Sequence, residues 1–173
     1  MKKIIITYGL IAGAIAGAML FVTSIMFNNG SLKIENGHYV GYITMVIALS
    51  LVFFAVRNYR ENQLGGSISF GKAFKVAILV TLVAAVVYAL SWEICYHTVA
   101  KGFTEFFSES YIKSIRESGA DDQAILKART EMAQFAEMYK NPAVRFGMTI
   151  LEILPVGLIL SILSAFILKK KTV

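Results

Sequence analysis

The stretch RFGMTILEILPVGLILSILSAFILKKK, Arg145 to Lys171, decides the fold. Phe146 to Leu168 is an apolar run with a single charge, Glu152. At 1.5 Å per residue it is long enough to cross a hydrocarbon core of roughly 30 Å. Arg145 opens it and Lys169-Lys170-Lys171 closes it. Pro155 removes a backbone donor from the helix interior and predicts a kink. Gly157, Ser161 and Ala165 recur every fourth residue, a small-residue stripe that lets a second helix approach closely. A transmembrane helix with such a stripe expects helical neighbours, and the rest of the chain supplies them.

Three more apolar runs fit. Ile4 to Phe27 is the first, carrying Gly9, Gly13 and Gly17 on one face at helical spacing. Ala14-Ile15-Ala16 resembles a signal-peptide cleavage site. The apolar character continues past it through Met19 to Val22, so the segment reads as an uncleaved span. Tyr39 to Val56 is the second span. The third runs from Val76 to Tyr96, preceded by an interfacial lead, Ser67 to Lys75, and ending in a polar cluster of Tyr88, Ser91, Trp92, Glu93, Tyr96 and His97. The expectation is one all-α membrane domain over residues 1–173, with spans at 4–27, 39–56, 76–96 and 146–168.

Residues 100–141 differ in character. Phe103, Phe106, Phe107, Tyr111 and Ile115 form one stripe at helical spacing, and Ile125, Ala128, Met132, Phe135, Ala136 and Tyr139 form another. Gly119 is a stop signal, Asp121 or Asp122 an N-cap, and Asn141-Pro142 a break. This predicts an amphipathic helical hairpin too polar to cross a bilayer.

Composition agrees with a membrane protein. The chain is 57% hydrophobic and 16% charged, with mean hydropathy +0.65, whereas soluble domains carry about 25% charge. The net charge of +6 does not point to nucleic acid, because the excess flanks the spans. Lys2, Lys3, Arg57, Arg60, Lys72, Lys75 and Lys169 to Lys171 fall on one side with Glu61 the one acid, while the hairpin's charges nearly cancel. The positive-inside rule then places both termini in the cytoplasm and the hairpin outside. Cys95 is the single cysteine, so no internal disulfide forms.

Glu152 and Glu93 fall at similar depth in the outer halves of their spans. A carboxylate in hydrocarbon is neutral, paired or in contact with water. His97 is one turn from Glu93 and Arg145 two turns from Glu152, so the four residues are the candidates for an ion or ligand site. Each also has a purely structural reading: Glu93 and His97 as interfacial groups, Glu152 as a packing residue, and Trp92 with Tyr96 as an interface anchor. No HExxH, nucleophile elbow, phosphate loop or CxxC occurs. No catalytic residue, metal ligand or cofactor is therefore expected. Two function classes remain open. One is a structural or regulatory protein that binds a partner through the hairpin. The other is a small proton- or cation-coupled carrier or channel built around Glu152 and Glu93. Expected partners are the lipid bilayer, a protein at the hairpin and a second copy of the chain.

Four strings carry a family resemblance: Gly41-Tyr42 to Met45, Ile68-Ser69-Phe70-Gly71-Lys72-Ala73-Phe74-Lys75, Tyr139-Lys140-Asn141-Pro142, and Glu152-Ile153-Leu154-Pro155-Val156-Gly157 with the basic tail. The chain resembles an uncharacterised family of four-span bacterial membrane proteins, common in Bacteroidetes and catalogued as a domain of unknown function. The resemblance implies an inner-membrane location and assigns no activity, cofactor or site residue.

Overall fold

The computed structural model describes residues 1–31 and 34–170, and of 34–38 the backbone alone. Among the described residues seven helices follow one another: α1 Lys2–Asn28, α2 Ile34–Leu49, α3 Leu51–Gln63, α4 Phe70–Thr98, α5 Phe103–Glu117, α6 Asp122–Tyr139 and α7 Pro142–Leu168. Four segments are long and apolar enough to span a membrane: Lys2–Asn28, Tyr39–Gln63, Phe70–Thr98 and Pro142–Leu168.

The second span is broken at Ser50. Its Oγ donates to the Ile47 carbonyl at 2.6 Å, and its N–H is shared between the Val46 and Ile47 carbonyls. The Phe53 N–H then reaches back three residues to the Ser50 carbonyl. This local tightening separates α2 from α3 within one membrane crossing. Sequence periodicity ended that span at Val56, but the helix runs on to Gln63. The third helix likewise extends past the 76–96 apolar run, from Phe70 to Thr98. The lead from Ser67 to Lys75 is not a separate interfacial segment: Ser69 caps α4 by accepting from the Lys72 N–H, and Phe70 to Lys75 form its first turns. Nothing between Phe70 and Thr98 interrupts the hydrogen-bond ladder, so one helix serves as both approach and crossing.

α4 is the axis of the bundle. Its alanines Ala73, Ala77, Ala84, Ala85 and Ala89 are fully or almost fully buried, and it packs against α1 on one side and α7 on the other. In lipid the apolar side chains gain nothing by leaving their solvent, so association depends on close packing and interhelical hydrogen bonds. Both devices are present. Gly9 lies against Val83, Gly13 against Val87 and Gly17 against Ser91, so close that an added Cβ would overlap each neighbour. On the opposite side Gly157 faces Thr81. Thr81 Oγ1 lies 3.1 Å from Ser161 Oγ, and Ala165 is fully buried one turn further on. α7 runs unbroken through Pro155.

The hairpin follows from its punctuation. Gly102, with φ +87, turns the chain out of α4. Gly119, with φ +79, ends α5 just beyond Ser118, where a left-handed residue is needed. The Asp121 side chain then accepts from the Ala124 N–H at 2.8 Å to start α6. Asn141 does the same for the Ala143 N–H at 3.0 Å, with Pro142 at the first position of α7.

Candidate functional site

The site forms where the hairpin meets the bundle. Arg145, in the first turns of α7, is 1% exposed despite its charge. Its guanidinium faces Glu93 of α4 as a fork: Nε donates to Oε1 at 2.8 Å and Nη2 to Oε2 at 2.6 Å. Nη1 donates to the Tyr139 carbonyl at 2.9 Å. That carbonyl belongs to the last turn of α6 and has no helical donor of its own, so Arg145 satisfies a helix end while pairing its acid. The guanidinium also stacks over the Tyr96 ring, with Cζ 4.1 Å from its centroid. His97, exposed at the rim, places Nε2 3.4 Å from Arg145 Nη2 and 3.9 Å from Glu93 Oε2. One side chain thus joins α4, α6 and α7.

An aromatic cluster closes over this centre. Trp92 Nε1 donates to the Tyr139 hydroxyl at 2.7 Å. Phe103 meets Trp92 edge-on at 4.9 Å, and Phe135 lies 5.0 Å from Tyr139. Phe106 reaches Phe27 at the end of α1, 6.1 Å between centroids. Burial in this cluster pushes the Tyr139 phenol up to about 12, against partial relief from the Trp92 N–H bond.

Three of the four candidate residues share direct contacts. Glu93, His97 and Arg145 meet; Glu152 is exposed beside Leu151 and takes no part in those contacts. Among the described residues it makes no hydrogen bond or ion pair. The reason is helical phase. Arg145 and Thr149 lie on the buried face of α7 with Ile153, and Glu152 precedes that position. Sequence reasoning grouped Trp92 and Tyr96 as an interface anchor and placed Tyr139 in an amphipathic stripe; it did not bring them to Arg145. The usable signal was Arg145 itself, a cation beginning an apolar helix 52 positions from the nearest acid on another span. Among the described residues no group of three His, Cys, Asp or Glu side chains is placed to hold a metal ion.

Apolar crossings, small-residue contacts and an extramembrane hairpin pinned at its base define a polytopic all-α membrane protein. The chain belongs to the family described as "Protein of unknown function (DUF4199)", whose model matches residues 7–170. Neither a search of curated proteins nor one of solved structures finds a match.

Proposed function

We propose that this is a non-enzymatic structural or regulatory protein of the bacterial inner membrane that engages a protein partner through its hairpin. Both termini are cytoplasmic in this reading and the hairpin faces outward. The supporting observation is the mechanical layout. The base of the hairpin is held to the bundle through Arg145, Tyr139 and Trp92, whereas its length carries exposed Tyr111, Leu126 and Met138. Leu126, 65% exposed beyond the membrane spans, is surface that a partner would cover. Between α5 and α6 runs an open groove of about 590 Å³, with Glu109, Lys113, Arg116, Arg129 and Met132 among its lining residues. Both charge signs in one groove suit a polar, selective contact more than a greasy one. A photocrosslinking residue at Leu126 or Arg129 in intact cells should yield one recurrent adduct, absent when the same residue replaces Asn62. Equal, unselective adducts at all three positions would contradict the reading.

A carrier is the second reading, and Glu152 favours it: a carboxyl in the middle of an apolar helix without a counter-charge among the described residues. It predicts pH-dependent cation flux in proteoliposomes that Glu152→Gln abolishes. The partner-binding reading predicts no flux and a near-silent Glu152→Gln variant.

A further inference from the structure

Each of the four spans brings two cations to the same end of the bundle. They are Lys2 and Lys3 on α1, Arg57 and Arg60 on α3, Lys72 and Lys75 on α4, and Lys169 and Lys170 directly after α7. The ends are tied to one another. The N-terminal ammonium donates to Gln63 Oε1 at 2.6 Å, joining α1 to α3. Arg60 Nη1 donates to the Leu168 carbonyl at 3.1 Å, joining α3 to α7. Ile68 and Lys170 exchange backbone hydrogen bonds of 3.0 and 2.9 Å, joining α7 to the entry of α4, and α4 packs back on α1. The eight cations therefore form a closed, held ring.

Among the described residues the ring is short of counter-charge. Glu61 is its one acidic side chain among the described residues, and Arg60 already pairs with it. The other seven cations are exposed and, among the described residues, make no ion pair. Like charges held together repel and destabilise a compact state unless anions collect against them. Each of these residues flanks a membrane crossing, so their heads lie at the depth of lipid phosphates, with the stems along apolar surface. Aromatic rings stand beside them. Phe70 stacks on Phe74 at 6.2 Å next to Lys72, and Lys169 Nζ sits 4.0 Å over Phe166. Phe70 and Phe166 are exposed. A soluble polyanion would neutralise the cations and leave these rings bare; a phospholipid supplies a phosphate and acyl chains at once.

We infer that this ring is a binding site for anionic glycerophospholipids, which take their places around the basic end of the bundle. The inference is independent of what binds the hairpin. The test uses the full chain in nanodiscs of phosphatidylcholine alone or mixed with phosphatidylglycerol, followed by native mass spectrometry of retained lipid and by melting. Phosphatidylglycerol should be retained in preference and should raise the melting temperature. Replacing Lys72, Lys75, Lys169 and Lys170 by Gln should reduce the preference at least about tenfold, because each cation at an anionic surface adds to the attraction. The same four changes to Arg should keep it. If the quadruple Gln variant does not fold, Lys72→Gln with Lys75→Gln gives a smaller loss in the same direction. Equal retention of the two lipids would overturn the inference, as would a preference indifferent to these substitutions. A short single-stranded DNA that binds the protein in phosphatidylcholine discs as tightly, with the same sensitivity, would assign the ring to soluble polyanions instead.

Discussion

Arg145 is the residue on which the arrangement turns. Burying a guanidinium is tolerable here because its donors are matched by the Glu93 carboxylate and the Tyr139 carbonyl, and its face by Tyr96. Arg145→Ala leaves Glu93 without its cation and the end of α6 without a donor. The expected loss is about 3–5 kcal/mol, and Glu93→Ala should cost about as much by stranding the arginine. Arg145→Met with Glu93→Leu removes both charges and should recover most of the stability. A double-mutant cycle by denaturation in detergent measures the coupling; additive single effects would show that the two side chains act independently. The Tyr139 phenol supplies a pH signature. Its folded value of about 12 exceeds that of an ordinary tyrosine, so the folded state favours the neutral form. The resulting stability is complete below about pH 10, the unfolded value. It falls as pH rises through 12. Melting curves between pH 9 and 12 should therefore fall more steeply for wild type than for Tyr139→Phe, whose baseline is lower because Trp92 loses its acceptor.

Every member of this centre was visible in the sequence as a residue type, and His97 beside Glu93 was visible as a pair. Whether Glu152 joins them was left open by the sequence, and it is absent from their hydrogen bonds and ion pairs. Spacing along one helix fixes depth, but which of two helices a side chain faces depends on rotational phase, and that is set by packing. The phase of α7 is set by Gly157 and Ser161 against Thr81 of α4, with Ala165 buried one turn further on. Those small residues turn Arg145 inward and leave Glu152 exposed.

At the scale of elements, the α1–α4 seam is the sharpest case. A Cβ at Gly13 would lie 2.5 Å from Val87 Cβ and 2.8 Å from the Ala84 carbonyl oxygen. Alanine normally gains about 1 kcal/mol over glycine inside a helix, but here the helices must separate or Val87 must leave its rotamer. Overpacking of this kind costs about 1–3 kcal/mol and outweighs the propensity gain. Gly13→Ala should therefore lower the melting temperature. Gly147→Ala, where an added methyl meets nothing within 4 Å, should leave it equal or raise it. Similar losses at both positions would show that the seam is not tightly packed. The glycine spacing made this face legible beforehand, since only small residues permit such an approach. The break at Ser50 was not legible. A serine in an apolar run bonds back to its own helix without bending it as often as not, and its consequence depends on how α2 sits across α1 and α7. The ends of the spans were also blurred, because hydropathy records where the bilayer stops and α3 and α4 continue past it.

For the whole molecule, charge placement and helix order carry the account. Nine of the 17 Lys and Arg residues flank one end of the spans with one of the 11 acids, and the hairpin connects α4 to α7 at the other end. The four crossings and the hairpin were readable because hydrocarbon thickness and turn chemistry act on local sequence. What the hairpin meets was not, because a partner leaves no local rule behind. The proposed function requires the hairpin and the basic ring to lie on opposite sides of the membrane, with the hairpin outside. In a Cys95→Ala background, single cysteines at Ser31, Ser118 and Asn62 can be probed in intact spheroplasts with an impermeant thiol reagent. The account predicts labelling at Ser31 and Ser118 and protection at Asn62 until the membrane is permeabilised. Labelling at Asn62 with protection of Ser118 would contradict it.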